Sequence, residues 1–420
     1  MQLIRTKDRG AKQARAKIEQ LERRGGASLD TVLPAVRKML RSVRKNGDKA
    51  LLGYARKLDG LGQDAPLRVT PEETAAAWDG LDLALKQALE IAAANIRSFA
   101  QRQLPESFQD SPISGLTTGQ LVRPIASVGC YVPGGRHPLP STMLMTVIPA
   151  QVAGVERIAV TSPRPAAETL ATAHLLGVTE FYRMGGAHAI GALAYGTEAI
   201  PRVSKIVGPG NLYVTAAKRE VAFDCAIDML AGPTEIVVTS ENGAPEAIAA
   251  DLVAQAEHDP NALAIFITTK EELALAVRAE AKKQARQNPV AKQALQENGC
   301  IFLTGSVEEA REITNRLAPE HLTVDSEDDL AWVRNAGSVF VGRHSPQPMG
   351  DYISGPNHTL PTGGMAMVRG GLSVNDFLKL ITVQQYAPEG LAALGPHAIR
   401  IAEAEGLSGH AEAIRQRLSS

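Results

Sequence analysis

From about residue 115 the chain alternates short apolar runs with helical stretches, and that alternation leaves few folds open. Strands spaced by a helix's length of chain read as βαβ units of a parallel sheet. One set of runs is "PIASVGCYV", "ERIAVTSP", "EFYRMGG" and "SKIVGPG"; a second is "TEIVVTS", "ALAIFITT", "CIFLTG", "HLTVDS" and "GSVFVG". Two such sets predict an α/β protein with two Rossmann-like parallel-sheet lobes, although no residue-level repeat establishes a duplication. The first hundred residues read as helical. "TVLPAVRKMLRSVRKNGDKALLGYARKLDG" reads as two helices meeting at Asn46-Gly47, and "PEETAAAWDGLDLALKQALEIAAANIRSFAQRQ" as one long amphipathic helix with Pro71 at its start. The last 45 residues, from "NDFLKLITVQQY", return to helices.

At 420 residues, 44% of them hydrophobic, the chain has enough apolar material for two cores. Its 44 basic and 45 acidic residues nearly cancel, which gives no general affinity for nucleic acid or anionic lipid and points to a small-molecule ligand. Cys130, Cys225 and Cys300 lie far apart without a Cys-x-x-Cys pair, so they read as buried small apolar residues rather than a thiolate metal site. The basic N-terminus lacks an apolar stretch, and no segment offers 18 uncharged apolar residues; a cytoplasmic enzyme with no membrane partner is expected.

Open parallel sheets bind ligands beyond the carboxyl ends of their strands. "GCYVPGGRHPLPST", "GGAHAIG" and "GPGN" each follow a strand there and precede a helix whose first amides could hold an anion. None is G-x-G-x-x-G, and each also reads as a tight strand-to-helix turn. In "DLVAQAEHDP", Gln255 and His258 are spaced i, i+3 on one helix face and could present an oxygen and a nitrogen to one cation; a solvated helix end is the other reading. "PMGDYISGPNHTLPTGG" holds Asp351 and His358 in a Gly- and Pro-rich loop, and "AEAEGLSGHAEA" holds Glu405 and His410 around a glycine break. "RLAPEHLTV" opens on Glu320 and His321, a carboxylate and an imidazole able to divide two proton-transfer tasks. Neighbours in a regular strand face opposite ways, so both reach one pocket only if the backbone there is irregular.

Together with "PLPSTMLM", "GPGNLYVTAAKREV", "AIDMLAGPTE", "AGSVFVG" and "GLSVNDFLK", these blocks resemble, in this order and over nearly the whole chain, the histidinol dehydrogenase family. The resemblance implies NAD- and zinc-dependent oxidation of L-histidinol to L-histidine through an enzyme-bound aldehyde. It implies Gln255, His258, Asp351 and His410 as zinc ligands and Glu320 and His321 as the catalytic pair. Substrate contacts are implied for Thr234, His358 and Glu405, together with His321 and the four ligands, and cofactor contacts for Tyr131, His188 and Asn211. It further implies a homodimer in which the tail carrying Glu405 and His410 enters the partner's site. The expected division is a helical segment at 1–28, a first α/β lobe from 29–120 and 237–374 with the catalytic and metal loops, an NAD-facing lobe at 121–236, and a helical tail at 375–420. The chain departs from the family's usual residues at Thr234, His188, Ala100 and "AMVRGG", which leaves open a related dehydrogenase acting on another amino alcohol or polyol.

Overall fold

The computed structural model describes residues 1–24, 29–134 and 138–419; residues 135–137 of the "GCYVPGGRHPLPST" turn and 25–28 of the expected N-terminal segment lie outside them. Both expected parallel sheets are present. The larger has six strands in the order Gln2–Arg5, Cys300–Leu303, Leu263–Thr268, Glu235–Thr239, His321–Val324, Ser338–Val341. Every neighbouring pair in it is parallel. The smaller has five, in the order Glu180–Tyr182, Arg157–Thr161, Ser127–Tyr131, Lys205–Val207, Ala226–Ile227, again all parallel. Their central strands are buried from end to end, which is why they appear in the sequence as continuous apolar runs.

Several expectations need correction. The first residues are not purely helical: Gln2–Arg5 is an edge strand beside Cys300–Leu303, ahead of the helix Ala11–Glu22. With Ile4 turned into the core, the strand is too short for its alternation to show in the sequence. The tail is not purely helical either. Leu378–Tyr386, rich in β-branched residues, forms a nine-residue strand. It pairs antiparallel with Leu116–Pro124, which also pairs with Phe108–Ile113. Only after it come the helices Pro388–Ala404 and Ser408–Leu418.

The helices expected to join the first lobe pack instead on the second. Leu33–Asp59 lies against Gly186–Tyr195 and Leu212–Val221, Pro71–Gly80 against Ala167–Leu175, and Leu83–Arg102 against Pro140–Ala153. The cause is where their apolar faces fit: Val36, Leu40 and Val43 share a core with Ile190 and Leu193, and Leu89, Ala92 and Ile96 share one with Met143 and Val147. The two helices expected to meet at Asn46-Gly47 do so: at Gly47, with φ 49° and ψ −133°, the backbone of Leu33–Asp59 leaves helical geometry and kinks. The second expected helix is in fact two. Thr70 and Glu73 form a capping box around Pro71, and Asp82 restarts the helix by accepting a 2.9 Å bond from the Leu85 N–H.

Cys130, Cys225 and Cys300 are buried and unpaired. No helix among the described residues is long and apolar enough to cross a membrane. The six-stranded lobe closes around Phe266, which is fully buried between helices on its face of the sheet. Phe266→Ala is expected to lower stability by about 3–5 kcal/mol, read as a fall in the urea midpoint with secondary structure unchanged.

Candidate active site

The two sheets meet the cavity from opposite ends. Tyr131 ends the strand Ser127–Tyr131, and Gly208 follows Lys205–Val207, so the five-stranded sheet presents the carboxyl ends of its strands. Thr234 precedes Glu235–Thr239 and His321 begins His321–Val324, so the six-stranded sheet presents its amino ends. Between them lies a cavity of about 220 Å³. Thr234, Gln255, His258, Glu320, His321, Asp351 and His358 all line it. Seven of the side chains singled out in the sequence, drawn from four separate segments, therefore share one space.

Glu320 and His321 do reach the same cavity, and the backbone ahead of them is irregular. The helix Val307–Leu317 ends on Ala318 with φ at 45°, Pro319 follows, and Glu320 lies just outside the strand that begins at His321. Glu320 Oε2 accepts bonds from the Thr234 hydroxyl at 2.6 Å and the Glu235 N–H at 2.8 Å. The Gln255 side-chain amide donates to the same Thr234 oxygen, which links it to Glu320 through one hydroxyl. Burial pushes the Glu320 carboxyl well above the usual carboxylate range; the two donors oppose this, and the negative charges of Glu235 and Asp351 reinforce it.

His321 is fixed by the next atom along the same backbone. Its Nδ1 lies 3.0 Å from the Glu235 carbonyl oxygen, which can only accept, so Nδ1 carries the proton and Nε2 keeps its lone pair. Nε2 stands 3.8 Å from Asp351 Oδ1. Burial lowers the imidazole's pKa against the pull of Asp351, which keeps the ring neutral and ready to take a proton. His358 is held at both nitrogens, by the Asp351 carbonyl at 2.8 Å and the Thr142 hydroxyl at 3.4 Å, and burial lowers it likewise.

The oxygen of the Gln255 amide is buried with no hydrogen-bond partner. Together with the Asp351 carboxylate and the His258 imidazole on the same wall, it is a donor set that a divalent cation would satisfy. Among the described residues no three His, Cys, Asp or Glu side chains form a ready metal cluster within the chain, and here one of the donors is an amide. The fourth expected ligand is elsewhere. Glu405 and His410 are exposed on the C-terminal helices, and neither lines the cavity.

The expected cofactor contacts divide. Gly208, Pro209 and Gly210 line the cavity, while Asn211 caps the helix Leu212–Val221 by accepting from the Tyr213 and Val214 N–H groups at 3.0 and 3.2 Å. The Tyr131 hydroxyl accepts from the Gly186 N–H at 3.1 Å. His188 does not line the cavity. It is fully buried, with Nε2 2.8 Å from Asp59 Oδ2 and its ring stacked on Tyr54, so it joins the kinked helix Leu33–Asp59 to the "GGAHAIG" turn.

Sequence reading missed four supports of this site. Arg24 grips both oxygens of Glu235 at 2.7 and 2.8 Å across 211 positions of chain. Gly363 N–H adds a 2.9 Å bond to the same carboxylate. Lys218 and Asp228 form a buried ion pair on the cavity wall that clamps Gly208, Lys218 donating to its carbonyl and Asp228 accepting from its N–H. Gln347 donates to Asp351. Nothing in spacing or periodicity marks these charged residues as buried.

Comparison with known proteins gives one consistent result. The family model described as histidinol dehydrogenase matches residues 22–418. The chain is 47% identical over 422 aligned positions to the histidinol dehydrogenase of Geobacillus kaustophilus strain HTA426, covering 96% of this chain and 99% of that protein. It is 45% identical to that of Methanocaldococcus jannaschii, covering 95% and 96%. The crystal structure of histidinol dehydrogenase from Elizabethkingia anophelis superposes with a TM-score of 0.93 at 36% identity, covering 100% of this chain and 98% of that one.

The Glu320 environment makes a stability prediction. A carboxyl raised by burial holds its proton in the folded state at pH values where the unfolded chain has lost it, so its contribution falls as pH rises from the ordinary carboxyl range. In chelator-treated protein, Glu320→Gln is expected to raise the urea midpoint, by more at pH 8 than at pH 5, because the neutral amide can still accept both bonds.

Proposed function

Because the chain belongs to the histidinol dehydrogenase family, we infer that the cavity around His321 is where it performs that family's reaction, the NAD-dependent oxidation of L-histidinol to L-histidine. The protein is an oxidoreductase of histidine biosynthesis that acts on a small molecule with NAD as oxidant. The observation that carries the placement is the shared anchoring of Glu320 and His321 on the backbone of Glu235, which sets a base and a second proton carrier over one cavity.

Taking the alcohol to the acid removes two hydrides, consumes one water and releases three protons, with two NAD reduced. Nε2 of His321 takes the hydroxyl proton as the first hydride leaves, giving the bound aldehyde. Glu320 then removes a proton from the water that hydrates the aldehyde; a carboxyl whose affinity for protons is raised is the stronger base for this. The second hydride leaves from the hydrate. His358, held at both nitrogens, and Thr234 orient the substrate.

Zinc fits the donors of this wall: the unpartnered Gln255 oxygen, His258 and Asp351 would hold it, with His410 from a second copy. When bound, it would supply Lewis acidity and anchor the nitrogen donors of the amino alcohol. A second copy also accounts for Glu405 and His410, which are exposed in one chain and would complete the partner's site by exchange of the tail. NAD would lie on the five-stranded lobe, against Tyr131, the Gly185-Gly186 turn and the loop capped by Asn211. With His188 turned inward, the turn itself faces the cofactor.

Purified protein with L-histidinol and NAD is expected to form two NADH per histidine and to lose this on chelation; formation of one NADH per aldehyde released, or turnover of another amino alcohol alone, would overturn the assignment. Glu320→Gln should largely spare aldehyde formation and slow aldehyde oxidation by roughly 10²–10⁴-fold. For tail exchange, His258→Ala and His410→Ala chains, each inactive, should regain about a quarter of wild-type activity when mixed and reassembled, since one site in each mixed dimer is then intact.

A further inference from the structure

The two oxygens of Asp351 have different surroundings. Oδ1 faces His321 Nε2 at 3.8 Å, on the cavity side. Oδ2 accepts a 2.9 Å bond from the side-chain amide of Gln347, one helical turn earlier. Gln347 is only 1% exposed. Its main chain lies beside the Asp251 carboxylate and favours that group's charged form. Asp251 lies on the helix Pro245–Ala256, one turn ahead of Gln255 and on the same face. The bond to Asp351 matters because the helical turn Pro348–Tyr352 has five residues and cannot hold its own conformation.

Packing alone does not call for an amide here. The Gln347 carbonyl oxygen is buried with no partner, a loss that a methionine of similar volume would avoid. The amide's orientation follows from charge, since reversing it would set a carbonyl oxygen against the Asp351 carboxylate. What the amide does, and an apolar side chain could not, is occupy one carboxylate oxygen and fix the rotation of the other.

We propose that Gln347 is a positioning residue for Asp351: its side-chain amide holds Oδ2, so that Oδ1 is presented to a divalent cation shared with Gln255 and His258. This rests on the reading of Asp351 as a metal ligand. Partners of this kind orient metal-bound carboxylates, and their loss weakens metal affinity by about 10–100-fold.

The test uses the zinc-loaded full-length protein as wild type, Gln347→Met, Gln347→Glu and Asp351→Asn. Bound zinc after dialysis, the rate of zinc transfer to a chelator and the melting temperature of the stripped proteins are measured. Gln347→Met is expected to lose zinc about 10–100-fold faster than wild type with its stripped melting temperature unchanged. Gln347→Glu, which can share one proton with Asp351 and keep the bridge, should hold zinc nearly as wild type does. Wild-type zinc retention in Gln347→Met while Asp351→Asn loses zinc overturns the proposal and leaves the metal reading standing. Wild-type retention in Asp351→Asn removes both. A fall in the stripped melting temperature matching the loss of zinc shows a structural role alone and also overturns it. If Gln347→Met does not fold, Gln347→Ala is the second variant without the donor, read in the same way.

Discussion

The backbone of Glu235 holds the site together. Its N–H binds Glu320 and its carbonyl binds His321, so one residue at the start of a strand orients both side chains. Its own side chain is in turn fixed by Arg24 and by the Gly363 N–H. The carboxylate is buried but not uncompensated, since a planar guanidinium meets both its oxygens. Strand pairing sets the remaining degree of freedom, because His321 is in register with Ile236 on one side and Ser338 on the other. Glu320 and His321 are thus placed by main chain, which moves less than side chains do.

The cavity lies between the carboxyl ends of one sheet and the amino ends of another. The carboxyl ends offer glycine turns and helix starts, which suit a dinucleotide, and Lys218 with Asp228 fixes Gly208 in a conformation with φ at 109°. At that point any side chain would strike the Tyr131 carbonyl oxygen, 2.2 Å from where its first carbon would stand. The amino ends offer something else: irregular backbone before each strand, from which Thr234 and Glu320 can turn toward one another. Under the proposed function, opposed ends would let the hydride acceptor and the proton acceptors approach a substrate from different sides.

Much of this was legible in the sequence, for physical reasons. Buried parallel strands write themselves as apolar runs, and all nine runs identified correspond to strands of the two sheets. Gln255 and His258 reach one cavity, although not along a helix face as expected: the helix Pro245–Ala256 stops before His258, whose N–H bonds the Gln255 carbonyl in the turn that follows. Glu320 and His321 announced an irregular backbone through Pro319. What escaped was long-range pairing. Arg24 to Glu235, Lys218 to Asp228 and Gln347 to Asp351 look like ordinary surface residues until the fold buries them. The strand Leu378–Tyr386 was missed because its burial is slight and its polar residues mimic a helix surface. His188, expected at the cofactor, has its ring turned inward to Asp59, a long-range pairing that spacing does not show.

The three cysteines, set in the two cores, carry a consequence for how this chain meets oxidants. Burial pushes the thiols of Cys130 and Cys300 up to about 12 and that of Cys225 to about 11, so almost no thiolate exists at neutral pH and none is within reach of solvent. Electrophiles and disulfides can attack only after a lobe has opened. Because Cys300 belongs to the six-stranded lobe and the other two to the five-stranded one, the pattern of alkylation along the chain is a record of which half breathes first.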